Sequence, residues 1–119
     1  MTNRNVLNEL RQFTGTTQWF RHGLNRKVLY TEGVQYLAEQ ARAYWLVDEI
    51  ALAQAYVAPV KATSFQAWNL TVKDSAGTLA CEDGNGNTVY SKQIEFTDFP
   101  EPGIRFFFTD NVLMLPSEY

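Results

Sequence analysis

"FQAWNLTVKDSAGTLACED", residues 65–83, decides the fold, because the apolar pattern takes up a two-residue period here. Trp68, Leu70 and Val72 alternate with polar neighbours, which is the pattern of a strand with one buried face. "DSAG" supplies a turn with Asp74 first and Gly77 last, and "TLACED" reads as the returning strand. Working outward toward the C-terminus, "TVYSKQIEF" follows as another strand across "GNGN". "IRFFFTD" puts Ile104, Phe106 and Phe108 on one face, and "VLMLP" forms a further strand or a covering segment.

Toward the N-terminus the period is helical. Thr31 can cap a helix starting "EGVQYLAEQA", with Glu32 favourable in its first turn. Val34, Leu37, Ala38 and Ala41 form one stripe. In "YWLVDEIALAQAYV" the stripe becomes Leu46, Val47, Ile50 and Val57, nearly opposite the first, so a break near 41–43 and two consecutive helices are expected, ended by Pro59. Before them, "TTQWFRH" and "KVLYT" flank "GLNR" as a β-hairpin, with His22 expected opposite Lys27, Trp19 opposite Tyr30 and Arg21 opposite Val28. "NVLNELRQF" spaces Val6, Leu7, Leu10 and Phe13 as a short first helix that stops at Gly15. The expected fold is therefore α+β: an N-terminal helix, a β-hairpin and two consecutive helices packed on an antiparallel sheet of about four or five strands. One domain over residues 1–119 is expected from the length.

Charged residues make up 19% and hydrophobic residues 45% of the 119-residue chain, a globular balance. No apolar run approaches the roughly 18 residues of a membrane span, and "MTNRNVLNEL" lacks the apolar stretch of a secretory signal. A cytoplasmic location with no membrane contact is the expectation. The net charge of −3 hides a split: residues 1–30 carry Arg4, Arg11, Arg21, Arg26 and Lys27 against Glu9 alone, a balance of +4, and the remaining residues carry −7. Nucleic-acid binding calls for a more basic domain, so nucleic acid is not the expected partner; another protein is.

Few residues offer chemistry. Cys81 is the only cysteine, which excludes an internal disulfide and a multi-cysteine metal site, and it reads as a small buried hydrophobe. "DGNGNT" from Asp83 starts like a calcium loop but has Thr88 where a glycine turn belongs and Ile94 where a bidentate Glu belongs; an Asn-Gly hairpin is the better account. His22 is the only histidine, so a zinc site is not expected, nor any metal or cofactor. General-base work by His22 would need an orienting acid such as Asp48, which is either a buried carboxylate with a partner or part of a solvated helix face. Trp19, Arg21, Arg26 and Lys27 gather aromatic and cationic groups on the hairpin, a combination suited to phosphate, an acidic protein surface or stacked bases, unless Trp19 is core and the charges are merely solvated. "TDFPEPG" is a proline-rigid loop in which Phe99 either docks a partner or pins the loop to the core. The binding residues expected are thus Trp19, Arg21, His22, Arg26, Lys27 and Asp48. Macromolecular binding is favoured over the alternative, a small enzyme using His22 and Asp48 in a pocket between hairpin and helices.

Taken together, "FTGT", "RHGLNRKVLYTEGVQYLAE", "AYWLVDEIA", "FQAWNLTV", "TDFP" and "LPSEY" make the chain resemble a family of small uncharacterised bacterial proteins, a domain of unknown function also found in mobile-element settings. The resemblance implies a soluble bacterial domain over the whole chain and transfers no catalytic residue. It also admits an accessory protein of a mobile element that mimics or blocks a host factor, a special case of binding.

Overall fold

The computed structural model of the chain describes residues 18–119, so the helix expected over "NVLNELRQF" lies outside the described residues. Strands β1 (Trp19–Arg21) and β2 (Leu29–Thr31) form the hairpin. Helices α1 (Glu32–Gln40), α2 (Tyr44–Tyr56) and α3 (Ala58–Lys61) follow. Strands β3 (Gln66–Lys73), β4 (Ala76–Glu82), β5 (Thr88–Ile94), β6 (Gly103–Thr109) and β7 (Val112–Met114) lead to a closing 3-10 turn at Pro116–Glu118. All seven strands join one sheet in the order β1-β2-β7-β6-β3-β4-β5.

This corrects the expected architecture. The α+β class stands, but in place of two helices on an antiparallel sheet of four or five strands the described residues form a mixed seven-stranded sheet with three short helices. The hairpin is part of the sheet because β2 runs parallel to β7, pairing Leu29 with Val112 and Tyr30 with Leu113. A parallel pair between segments so far apart in the chain leaves no local signature. Pro59 does not close the helical region but sits in the first turn of α3, where its missing N–H costs nothing.

The hairpin register also differs from expectation: Trp19 pairs with Thr31, Phe20 with Tyr30 and Arg21 with Leu29. One residue of slip exchanges the two faces. Its cause is the loop, since His22 N–H donates to the Val28 carbonyl at 2.9 Å and Val28 N–H to that of Asn25 at 3.0 Å, leaving Lys27 outside the ladder.

Thr31 caps α1, its hydroxyl accepting from Val34 N–H at 3.3 Å. Arg42, in the left-handed region at φ 53°, separates α1 from α2 and lets each turn its own stripe inward. Val34 and Leu37 from α1 and Leu46, Val47 and Ile50 from α2 are fully buried against the even-numbered residues of β3 and β6, with Trp68 opposite Phe106 and Leu70 opposite Ile104. Each large apolar side chain so buried contributes on the order of 1.5–3 kcal/mol. Both two-residue turns, Asp74–Ser75 and Asp110–Asn111, have positive φ throughout, the geometry whose twist matches flanking strands. Gly103 is required as glycine: at φ 119° a Cβ would lie 1.7 Å from the Leu70 carbonyl oxygen.

Candidate functional site

The loop between β1 and β2 is held by side chains rather than by repeating backbone structure. His22 is 4% exposed. Its Nδ1 accepts from the backbone N–H groups of Leu24 at 3.2 Å and Asn25 at 3.0 Å. With Nδ1 engaged as an acceptor, the ring proton resides on Nε2, which donates to Asp48 Oδ1 on α2 at 2.7 Å. The Asp48 side chain is half exposed, so the carboxylate is both partnered and solvated. Beside it, the Tyr30 phenol is pushed above its ordinary pKa, first by partial burial and then by the Asp48 carboxylate.

Asn25 is the second post. Its Nδ2 donates to the Ala51 carbonyl of α2 at 2.9 Å, and its Oδ1 accepts from Lys27 N–H at 3.2 Å. Arg21 adds a third tie by donating through Nη1 to the Arg26 carbonyl. The loop is thereby fixed to the helix on one side and to its own strand on the other, although Leu24, Arg26 and Lys27 are exposed. A loop ordered before binding loses little freedom on binding.

This loop forms one wall of a cleft of about 520 Å³ whose other walls are Gln54 and Ala55 of α2 and Lys61 of α3. Arg26, Lys27 and Lys61 line it, and none of the described residues lining it is acidic. Three cations gathered on one side of a chain of net charge −3 create a local field of opposite sign to the whole. Gln54 and Lys61 also line an adjoining cleft of about 340 Å³ that runs past Thr63 and Ser64 to Asp110 and Asn111.

The floor between the two is rigid. Gln54 and Gln66 exchange reciprocal amide bonds of 2.7 and 2.9 Å; Gln66 also donates to the carbonyls of Val60 and Thr63 and accepts from Trp68 Nε1 at 2.8 Å. Buried and fully partnered, Gln66 fixes α3, and with it Lys61, relative to the core.

The structure brings Arg26, Lys27, His22 and Asp48 alongside α2, but only Arg26 and Lys27 line the cleft; His22 and Asp48 support the loop from behind. Trp19, about half exposed on β1, and Arg21 lie outside the lining. Lys61, Gln54 and Gln66 escaped sequence reasoning. Lys61 follows a proline in a segment that reads as a helix end, and a lone glutamine beside an alternating strand carries no signal of a buried network.

Elsewhere the candidates are structural. Burial first, and then the Asp83 and Glu82 carboxylates, push the Cys81 thiol up to about 12. The Asp83 carboxylate accepts from the N–H groups of Asn85 and Asn87 and from Asn87 Nδ2, which holds it below its ordinary range and closes the loop on itself. Phe99 is buried. Among the described residues, no group of three or more His, Cys, Asp and Glu side chains is placed to hold a metal ion. No helix among them is long and apolar enough to cross a membrane.

Compared with known proteins, residues 4–119 match the model of a family of unknown function, DUF6876. No curated protein and no solved structure matches the chain.

Proposed function

Because the chain belongs to the family of unknown function DUF6876, which brings it no assigned chemistry, we propose from its own residues that it is a binding module that docks an acidic surface of another protein. The observation that carries this reading is the cationic cleft: Arg26 and Lys27, on a loop held in place by His22 and Asn25, converge with Lys61. Cations at an exposed, preordered edge favour fast and salt-sensitive encounter with a complementary partner. His22 and Asp48 act as positioning residues in this reading.

The 2.7 Å contact between His22 and Asp48 meets one requirement of the enzymatic alternative, a base within reach of an orienting acid. The ring, however, is buried, and both of its nitrogens are committed to the protein itself, so neither lone pair nor proton faces the cleft. Binding is the better account.

The test is a native pull-down with the full chain beside R26E/K27E and K61E variants, with bound proteins and nucleic acids both identified. A protein recovered by the parent and lost by both variants supports the reading. An identical bound set for all three overturns it, and nucleic acid lost in the variants would replace the protein partner with a phosphate backbone.

A further inference from the structure

We infer that the cationic loop of one copy docks onto an acidic, aromatic groove of a second copy, giving head-to-tail self-association. The inference rests on reading the cleft as a docking surface and adds an occupant for it. The groove lies on the other flank of α2, between Trp45 and Glu49 and the end of β5 with the segment after it, and has a volume of about 430 Å³. Among the described residues that line it, Glu49, Glu95 and Asp98 are acidic and Lys92 is basic, and Lys92 is paired with Glu49 at 2.6 Å. Phe96 stands 74% exposed in the groove, an unusual position for a large apolar ring next to half-buried Trp45 and Ile94.

The two surfaces complement each other in kind as well as in sign. The loop presents Leu24, 71% exposed, with Arg26 and Lys27 close behind it in sequence. Leu24 supplies the apolar contact for Phe96 and Trp45, while the guanidinium and ammonium face Glu95 and Asp98 and can lie over the aromatic rings. Within one chain the loop is bonded to α2 through Asp48 and Ala51, whereas the groove opens where Trp45 and Glu49 of the same helix adjoin the end of β5. A single such contact between unlike patches is heterologous, so it leaves one loop and one groove open for further copies. Its small area and exposed charges make it weak and salt-sensitive.

The test measures the mass of the full chain by light scattering across a range of concentrations at low and high salt. The expected result is a rise from one chain to two and more at low salt, reversed by salt. R26E/K27E, which removes the loop, and E95Q/F96A, which removes the groove, each stay monomeric. Their equimolar mixture forms a one-to-one dimer, because each supplies the surface that the other lacks. A parent that stays monomeric at all concentrations overturns the inference alone, since the pull-down still reports on the cleft. A mass rise retained by either variant overturns it as well. If E95Q/F96A loses self-association yet keeps the partner recovered in the pull-down, the two uses of the loop are separate.

Discussion

His22 shows how one side chain can organise a loop. Its Nδ1 satisfies two backbone N–H groups that the turn would otherwise leave unpaired, and a buried unpaired donor costs about 1–3 kcal/mol. Replacing His22 with Leu is therefore expected to destabilise the fold by that amount or more. Asp48→Asn costs under about 1 kcal/mol, because the amide oxygen still accepts from Nε2 and the site remains half solvated. Urea denaturation of both variants checks the ranking; an Asp48→Asn loss larger than that of His22→Leu would mean that the charge, not the loop geometry, is what His22 serves. Cys81 makes the opposite case, a group silenced by its surroundings. With its folded pKa raised from 9.0 to about 12, the neutral thiol is favoured by folding, so its contribution to stability is complete below pH 9 and is lost as pH rises toward 12. At pH 8 the native thiolate population is reduced roughly a thousandfold, so native labelling by iodoacetamide should be far slower than labelling in denaturant. Comparable rates in the two states would show that Cys81 is not sealed in the core.

At the scale of elements, the start of α1 is clasped by the end of the chain. The Glu118 carboxylate accepts from Thr31 Oγ1 at 2.6 Å, from Leu115 N–H at 2.9 Å and from Gly33 N–H at 3.3 Å, so it caps a helix from 85 residues away. Removing such a cap costs about 1–2 kcal/mol, the loss expected for Glu118→Ala in thermal or urea denaturation. A Cβ at Gly33 would meet Leu115 Cδ1 at 2.7 Å and Glu118 Oε2 at 2.8 Å. Gly33→Ala is accordingly destabilising, and the double variant with Glu118→Ala should lose less than the two single losses added, since the second change removes the Glu118 part of the clash and leaves only that with Leu115. Strict additivity would show that Gly33 is constrained by something other than the clasp. "LPSEY" and "YTEG" thus belong together in space, which no local pattern in either string declares. Alternation at Trp68, Leu70 and Val72 and the cap at Thr31 were legible because they act over a few residues. The register of the hairpin was not, because it is set by the bonds of a loop whose conformation depends on a helix. Nor was the joining of β2 to β7, which requires the chain to return after some eighty residues.

Charge is arranged at the scale of the whole molecule. The sequence separates a basic first quarter from an acidic remainder, but the cleft does not follow that division: Lys61 comes from the acidic part and completes the cationic side. Folding thus makes a sharper pattern than the sequence carries, with Arg26, Lys27 and Lys61 in one cleft beside α2 and Glu49, Glu95 and Asp98 in another. Arg26 and Lys27 were legible as a pair on one hairpin; their meeting with Lys61 depends on α3, which the Gln54–Gln66 amide pair ties to the core. If the cleft acts as a unit, K61E should weaken partner binding about tenfold, comparable to K27E, although 34 residues separate the two positions. Reversal of exposed Lys73 or Arg105, which lie outside the cleft lining, should leave binding unchanged. Titration of the recovered partner against the four variants at two salt concentrations reads both effects. Equal weakening by all four would assign the attraction to net charge alone, whereas loss confined to Lys27 and Lys61, and shrinking as salt screens the contact, would locate it in the cleft.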